Sequence, residues 1–167
     1  MRKLAVLIAF LMTSVIINAQ EAKIVATVNE AGDVASFELD CTIKFPTLAK
    51  GLRYNITRHE FKGAELKNTY HVMLVMDGFY TTVLNSKMTI SAVFSDGTKV
   101  SEVETLEDDG YFDGACTLKL NSPPDLALKL DLKQIIVNTG TKEVAYTLSA
   151  QKSIEFKKNL QNIVNAK

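Results

Sequence analysis

Two cysteines, two histidines and one acidic stretch carry most of the chemistry available to this chain of 167 residues. Cys41 and Cys116 have no C-x-x-C spacing and no third thiol beside them, which disfavours zinc binding and dithiol redox work. His59 is followed by Glu60, but position 63 is Gly, so the second histidine of an H-E-x-x-H metalloprotease is missing. His71 lies inside the apolar run Thr69–Met76 and reads as a histidine at the edge of a core. No G-x-S-x-G elbow presents a hydroxyl nucleophile. The glycines do not gather into a phosphate-cradling loop. Glu102, Glu104, Glu107, Asp108, Asp109 and Asp113 crowd together, and calcium takes flexible clusters of oxygen. Glu107, Asp108, Asp109 and Asp113 are therefore the candidate calcium ligands, although their spacing is not that of an EF-hand. The alternative is a solvated strand face and a charged turn. No residue is assigned a catalytic or cofactor-binding role on this pattern.

The two cysteines share a local setting. Around the first the chain reads Phe37-Glu-Leu39-Asp-Cys41-Thr-Ile43-Lys-Phe45, apolar at every second position. That alternation predicts a half-buried strand with Cys41 turned inward. Cys116-Thr-Leu118-Lys-Leu120 repeats the pattern. An even number of cysteines in an exported chain makes Cys41 and Cys116 a disulfide candidate between two sheets. A bridge closing so long a loop would contribute roughly 4–5 kcal/mol on the chain-entropy model. Two buried free thiols are the alternative.

Export is itself an expectation from the first nineteen residues. Arg2 and Lys3 precede the apolar run from Leu4 to Ile17, which ends at Asn18-Ala19 before Gln20. A basic start, a short apolar stretch and a small residue at the exit describe a cleavable signal, so residues 1–19 are predicted to be removed. The run is short for a membrane span, and nothing later matches it. Removing 19 of the 167 residues leaves 148, enough for one core in residues 20–167. The whole chain has 19 basic and 19 acidic residues, and two of the basic ones lie in the leader, leaving a net charge of −2. Such a balance gives no electrostatic reason to expect nucleic acid.

Strands dominate the rest. Ala22–Val28, Val34–Phe45, Leu52–Arg58, Thr69–Met76, Phe79–Leu84, Ser86–Phe94, Lys99–Leu106 and Tyr111–Leu120 read as extended, with His59–Asn68 as loop. Asp96-Gly97 is the strongest hairpin signal. A two-residue turn there would set Val93 against Val100 and Ile90 against Val103, on opposite faces, so a bulge or longer loop is expected. Alternating charge along Lys99–Leu106 suits an edge strand. Ser122 with Asp125 resembles a capping box for a short helix, against an alternation of Leu126, Leu128, Leu130 and Leu132 that reads as strand; the helix is the favoured reading, followed by a strand at Gln134–Val137 and a return at Glu143–Leu148. Phe156, Leu160, Ile163 and Val164 mark an amphipathic C-terminal helix, with Ser153 as its candidate N-cap. The predicted fold is mainly β: an antiparallel two-sheet sandwich, Ig-like or jelly-roll-like, with a C-terminal amphipathic helix.

True immunoglobulin ancestry is disfavoured, because no Trp is present and Gly114, not Tyr, stands two residues before Cys116. A different likeness covers most of the chain. The leader ending in Asn18-Ala19-Gln20, the segment Lys87–Lys99, the Ile135–Thr139 strand and the closing helix together resemble small uncharacterised exported proteins of Gram-negative bacteria. The resemblance implies a periplasmic or extracellular location and carries over no functional residue. The expected role is a non-catalytic binding or interaction module, its partner a protein or small ligand. Gly51–Asn68 is its candidate surface, since polar loops on a rigid sandwich are where binding usually sits. A hydrolase with a carboxylate pair, acting on glycans or otherwise, and an envelope structural subunit are the alternatives. Asn55-Ile56-Thr57 matches a glycosylation sequon. Tyr70, Phe79, Tyr80, Tyr111 and Phe112 could line a pocket or simply fill the core.

Overall fold

Strict alternation of burial builds the protein's largest wall. In a computed structural model that describes residues 23–63, 68–78, 80–82, 85–106 and 110–167, five strands run in the order β1 (Ile24–Val28), β2 (Val34–Leu39), β4 (Leu52–Phe61), β5 (Thr69–Met76) and β10 (Ala115–Leu120). A short strand, β3 (Thr47–Ala49), also pairs with β4. Along β5, Tyr70, Val72, Leu74 and Met76 are buried while Thr69, His71, Met73 and Val75 are half-exposed. Period-two alternation sends each set to its own face. A second sheet orders β12 (Glu143–Thr147), β11 (Leu132–Asn138), β7 (Ser86–Phe94) and β8 (Lys99–Leu106). A two-stranded ribbon of β6 (Tyr80–Thr82) and β9 (Gly110–Phe112) completes the β structure. All the pairings are antiparallel. The mainly β, sandwich-like expectation holds.

The two large sheets bury one contiguous core. Leu52, Tyr54, Ile56, Val72, Leu74 and Leu118 of the first sheet share it with Met88, Ile90, Phe94, Ile135 and Val137 of the second. The short helix α1 (Asp125–Lys129) precedes β11, as expected. Its N-cap is Pro124 and no side chain caps it, so the Ser122–Asp125 capping box does not form. The C-terminal helix α2 (Ala150–Asn165) buries Phe156, Leu160 and Ile163 at i, i+4 and i+7 against β2, β3, β4 and β11. Its N-cap is Ser149, whose hydroxyl accepts from the Lys152 N–H at 3.2 Å. Ser153, the residue expected in that role, lies one turn inside and is buried.

Three local features depart from the alternation. The strand predicted to run to Phe45 stops at Leu39. Asp40 accepts both the Thr42 N–H, at 3.1 Å, and the Thr42 hydroxyl, and this side-chain turn redirects the backbone. Ile43 is consequently 99% exposed. Conversely, β4 continues through His59 to Phe61, where a loop was expected. The β7–β8 turn has three residues: Phe94 N–H bonds to Thr98 O, Gly97 N–H to Phe94 O, and Gly97 has φ +88°. This is a type I turn closed by a G1 bulge. It sets Ala92 against Val100, Ile90 against Glu102 and Met88 against Glu104. Val103 faces out and is 60% exposed.

The disulfide expectation fails on topology. Cys116 pairs with Leu74, and Leu74 pairs with Tyr54 on β4. Cys41 follows β2, on the far side of β4. The strands leading to the two cysteines, β2 and β10, are thus separated by β4 and β5 in one sheet instead of facing each other between two. Both are free thiols. The segment carrying the expected signal, residues 1–19, lies outside the described residues, and no helix among them is long and apolar enough to cross a membrane.

One buried cation ties the helix to the wall. Arg58 points inward from β4 and is 3% exposed. Its guanidinium donates to the carbonyls of Val164 and Ala166, the latter at 2.7 Å, at the C-terminus of α2. It also pairs with Glu60 at 2.9 Å and stacks 4.2 Å over the Phe37 ring. The last turn of α2 has no basic residue of its own, so β4 supplies the charge that the helix dipole favours there. Arg58→Ala is expected to cost about 3 kcal/mol, from the orphaned carbonyls and lost packing. Arg58→Lys should fall between, because an ammonium cannot span both carbonyls as a planar fork does. Urea unfolding midpoints test the order; equal stability of all three proteins would refute the role.

Candidate functional site

The outer face of the six-stranded sheet carries the most developed group of polar side chains. Register places Thr27 beside Ser36 and Ser36 beside His59 in one row. The next row reads Val25, Glu38, Thr57, His71 and Lys119. Asn55, Met73 and Thr117 form a third. Between the rows lies an open groove of about 430 Å³, lined by Ser36, Glu38, Thr57, His59, His71 and Thr117 among others. The strands position these groups because the same alternation that buries Tyr54, Ile56 and Arg58 turns Asn55, Thr57 and His59 the other way.

The polar groups are cross-linked. Ser36 Oγ and His59 Nδ1 are 2.8 Å apart. The His59 and His71 rings meet edge to face, centroids 5.5 Å apart. Asn55 donates to Glu38 Oε2 at 3.3 Å. Burial, the neighbouring His59 and Lys119 hold the His71 imidazole below its ordinary pKa, with Glu102 opposing. His71 is therefore half-buried on the outer wall and does not point into the core. Asn55 is 5% exposed within a central strand, out of reach of a glycosylation enzyme in the folded protein.

A second hollow of about 420 Å³ lies at the seam between β8 and β10, with Thr69, Glu102, Lys119 and Asn121 in its walls. There Glu104 accepts the Thr117 N–H at 3.0 Å, satisfying a donor on the open edge of β10. Burial raises the Glu104 pKa, the Thr117 bond opposes this, and Glu102 adds to the rise. Glu102 and Glu104 stand two residues apart on the same strand, β8. Ser36 and His59 stand on the interior strands β2 and β4 of the sheet.

The other candidates scatter. Within Gly51–Asn68, Leu52–Phe61 is strand, and its contribution to the groove comes from Thr57 and His59. Tyr70 is core; Phe79 and the side chains of Tyr80, Tyr111 and Phe112 lie outside the described residues. Glu107, Asp108 and Asp109 of the calcium candidate also lie outside them, while Asp113 accepts the Ala115 N–H at 3.0 Å. Among the described residues no three His, Cys, Asp or Glu side chains converge on one metal position. Enclosed apolar spaces beside Phe94, Leu120 and Ala127 amount to about 10 Å³ each. These suit one water at most. Sequence reading missed the groove because its members are spread over β1, β2, β4, β5 and β10; the polar positions of each strand were the available signal. Compared with protein-family models, with curated proteins and with solved structures, the chain matches none.

The thiols and the Tyr54 phenol give a pH signature. Burial pushes Cys116 up to about 12, helped by Glu104 and Asp113, and burial pushes Cys41 up to about 11, helped by Glu38 and Asp40. Burial raises the Tyr54 phenol as well, against the bond from Asn159. Unfolded thiols titrate near 9.0. The folded protein keeps protons that the unfolded chain releases, so this stability is complete below 9.0 and is lost as pH rises toward about 12. Urea midpoints should fall across that window, and Cys116→Val should flatten the fall. Thiol titration without reductant should find two reactive groups after unfolding and almost none before; a single or absent thiol in the unfolded chain would contradict the free-cysteine assignment.

Proposed function

We propose that the protein is an exported, non-catalytic interaction module that holds a partner in the groove on the outer face of its six-stranded sheet. One observation carries this reading: the polar groove of about 430 Å³ stands open over a core whose described cavities are near 10 Å³. The described interior spaces are too small for a ligand, whereas a surface ligand or a protein side chain has both room and hydrogen-bonding groups in the groove. The site stands on strands, and a preorganised polar wall loses little freedom on binding. The near-neutral charge balance favours hydrogen bonding over bulk electrostatic attraction.

A photo-reactive residue placed at Thr57, in the groove, tests the reading in native cells. The reference position is Thr89, on the outer face of β7, since its neighbours Met88 and Ile90 are buried. A discrete adduct is expected from Thr57 and none from Thr89, and Thr117→Arg should suppress the Thr57 adduct while leaving the urea midpoint nearly unchanged. Adducts of equal yield from both positions, or none from Thr57, would reject the groove as the contact surface.

A further inference from the structure

We propose that His59 and His71 form a cross-strand binding site for a divalent transition-metal ion of the zinc–nickel–copper class. His71 stands opposite Thr57, and His59 stands two residues further along the same strand, opposite Thr69. The two rings are therefore diagonal neighbours on one face, within each other's reach. An ion about 2.0–2.1 Å from one nitrogen of each ring lies roughly 3 Å from each centroid, so two rings sharing it at a tetrahedral angle have centroids about 5 Å apart. The observed centroid separation of 5.5 Å is close to that spacing, and turning the edge-to-face rings about their side-chain bonds would bring one nitrogen of each to a common point.

Further features of the groove fit a ligand pair. Ser36 Oγ lies 2.8 Å from His59 Nδ1. In the tautomer that donates Nδ1–H to this hydroxyl, Nε2 presents its lone pair to the groove, the usual way a neighbour orients a metal-binding imidazole. Glu38, in the same groove, supplies negative charge against Lys119 on β10. Two protein donors leave the remaining positions open, which describes an exchangeable ion and agrees with the lack of a three-residue cluster among the described residues. This inference needs only the two rings and stands apart from the partner-binding reading.

Calorimetric titration of untagged protein with zinc, nickel and copper chlorides near neutral pH tests it. One equivalent should bind, copper more tightly than nickel, and binding should vanish at mildly acidic pH, where imidazoles protonate. His59→Ala and His71→Ala should each weaken binding at least as much as Ser36→Ala, which is expected to cost about tenfold. Thr89→Ala should change nothing. In the unsubstituted protein, zinc should shift the NMR signals of both imidazoles together, a readout that does not depend on any variant folding. The proposal is overturned if neither signal moves, if only one moves, or if affinity survives the double substitution.

Discussion

The guanidinium of Arg58 is the point on which the two parts of the protein depend. It is buried against the Phe37 ring and faces the C-terminus of α2, where helix geometry leaves carbonyls without intrahelical donors. A buried charge is costly unless hydrogen bonds surround it, and a buried helix end is costly unless donors reach it. Each of these liabilities answers the other. The result seats α2 against β4 and lets Phe156, Leu160 and Ile163 enter the core. Nearby, Asn159 donates to the Tyr54 hydroxyl at 2.8 Å and Tyr54 packs on Phe156 with centroids 5.5 Å apart. Three consecutive inward positions of β4 that carry polar groups or apolar bulk, Tyr54, Ile56 and Arg58, therefore define where the helix lies.

The same strand serves the opposite face. With Tyr54, Ile56 and Arg58 committed inward, Asn55, Thr57 and His59 must point outward; Thr57 and His59 line the polar groove, and Asn55 donates to Glu38 in its wall. Stability and surface chemistry are thus set by one backbone register. A one-residue slip of β4 would exchange the two sets and destroy both. The long antiparallel ladders to β2 and β5 hold that register. This coupling explains how a face with half-exposed histidines keeps fixed geometry: the groove inherits its rigidity from the core behind it.

The open edges are managed by charge and by a turn. The G1 bulge at Gly97 shifts β8 by one residue and brings Glu102 and Glu104 to the seam with β10. Without that shift Val103 would take an inward place. Inward-pointing carboxylates discourage another chain from pairing there, and Glu104 also satisfies the Thr117 N–H that the edge leaves open. The groove and the seam meet along β10, where Lys119 stands beside His71.

Much of this was written in local patterns. Alternation along Phe37–Leu39 and Cys116–Leu120 and the apolar spacing from Phe156 to Val164 announce strands and the helix, because burial period follows backbone geometry directly, whereas Thr69–Met76, apolar on both faces, reads equally as a buried helix. The bulged hairpin was legible from Asp96-Gly97 and the clash of faces across it. Capping was less legible, since Ser149 and Ser153 are equally good local donors of an oxygen and only packing of the helix chooses between them. The end of β2 was misleading for a related reason: Phe45 and Ile43 keep the apolar beat, but the Asp40 side chain captures the backbone first.

The amino-acid order by itself determined the class of most elements, though not where β2 ends or how far β4 continues, and which residues of each strand share a face. Strand order and pairing, which no single segment encodes, decided the rest. They put β10, which carries Cys116, and β2, which leads to Cys41, two strands apart in one sheet, and both thiols are free. They also brought Ser36, His59 and His71 from three strands into one groove, because hydrogen-bonded neighbours in a sheet are chosen by the packing of the whole core and not by proximity along the chain.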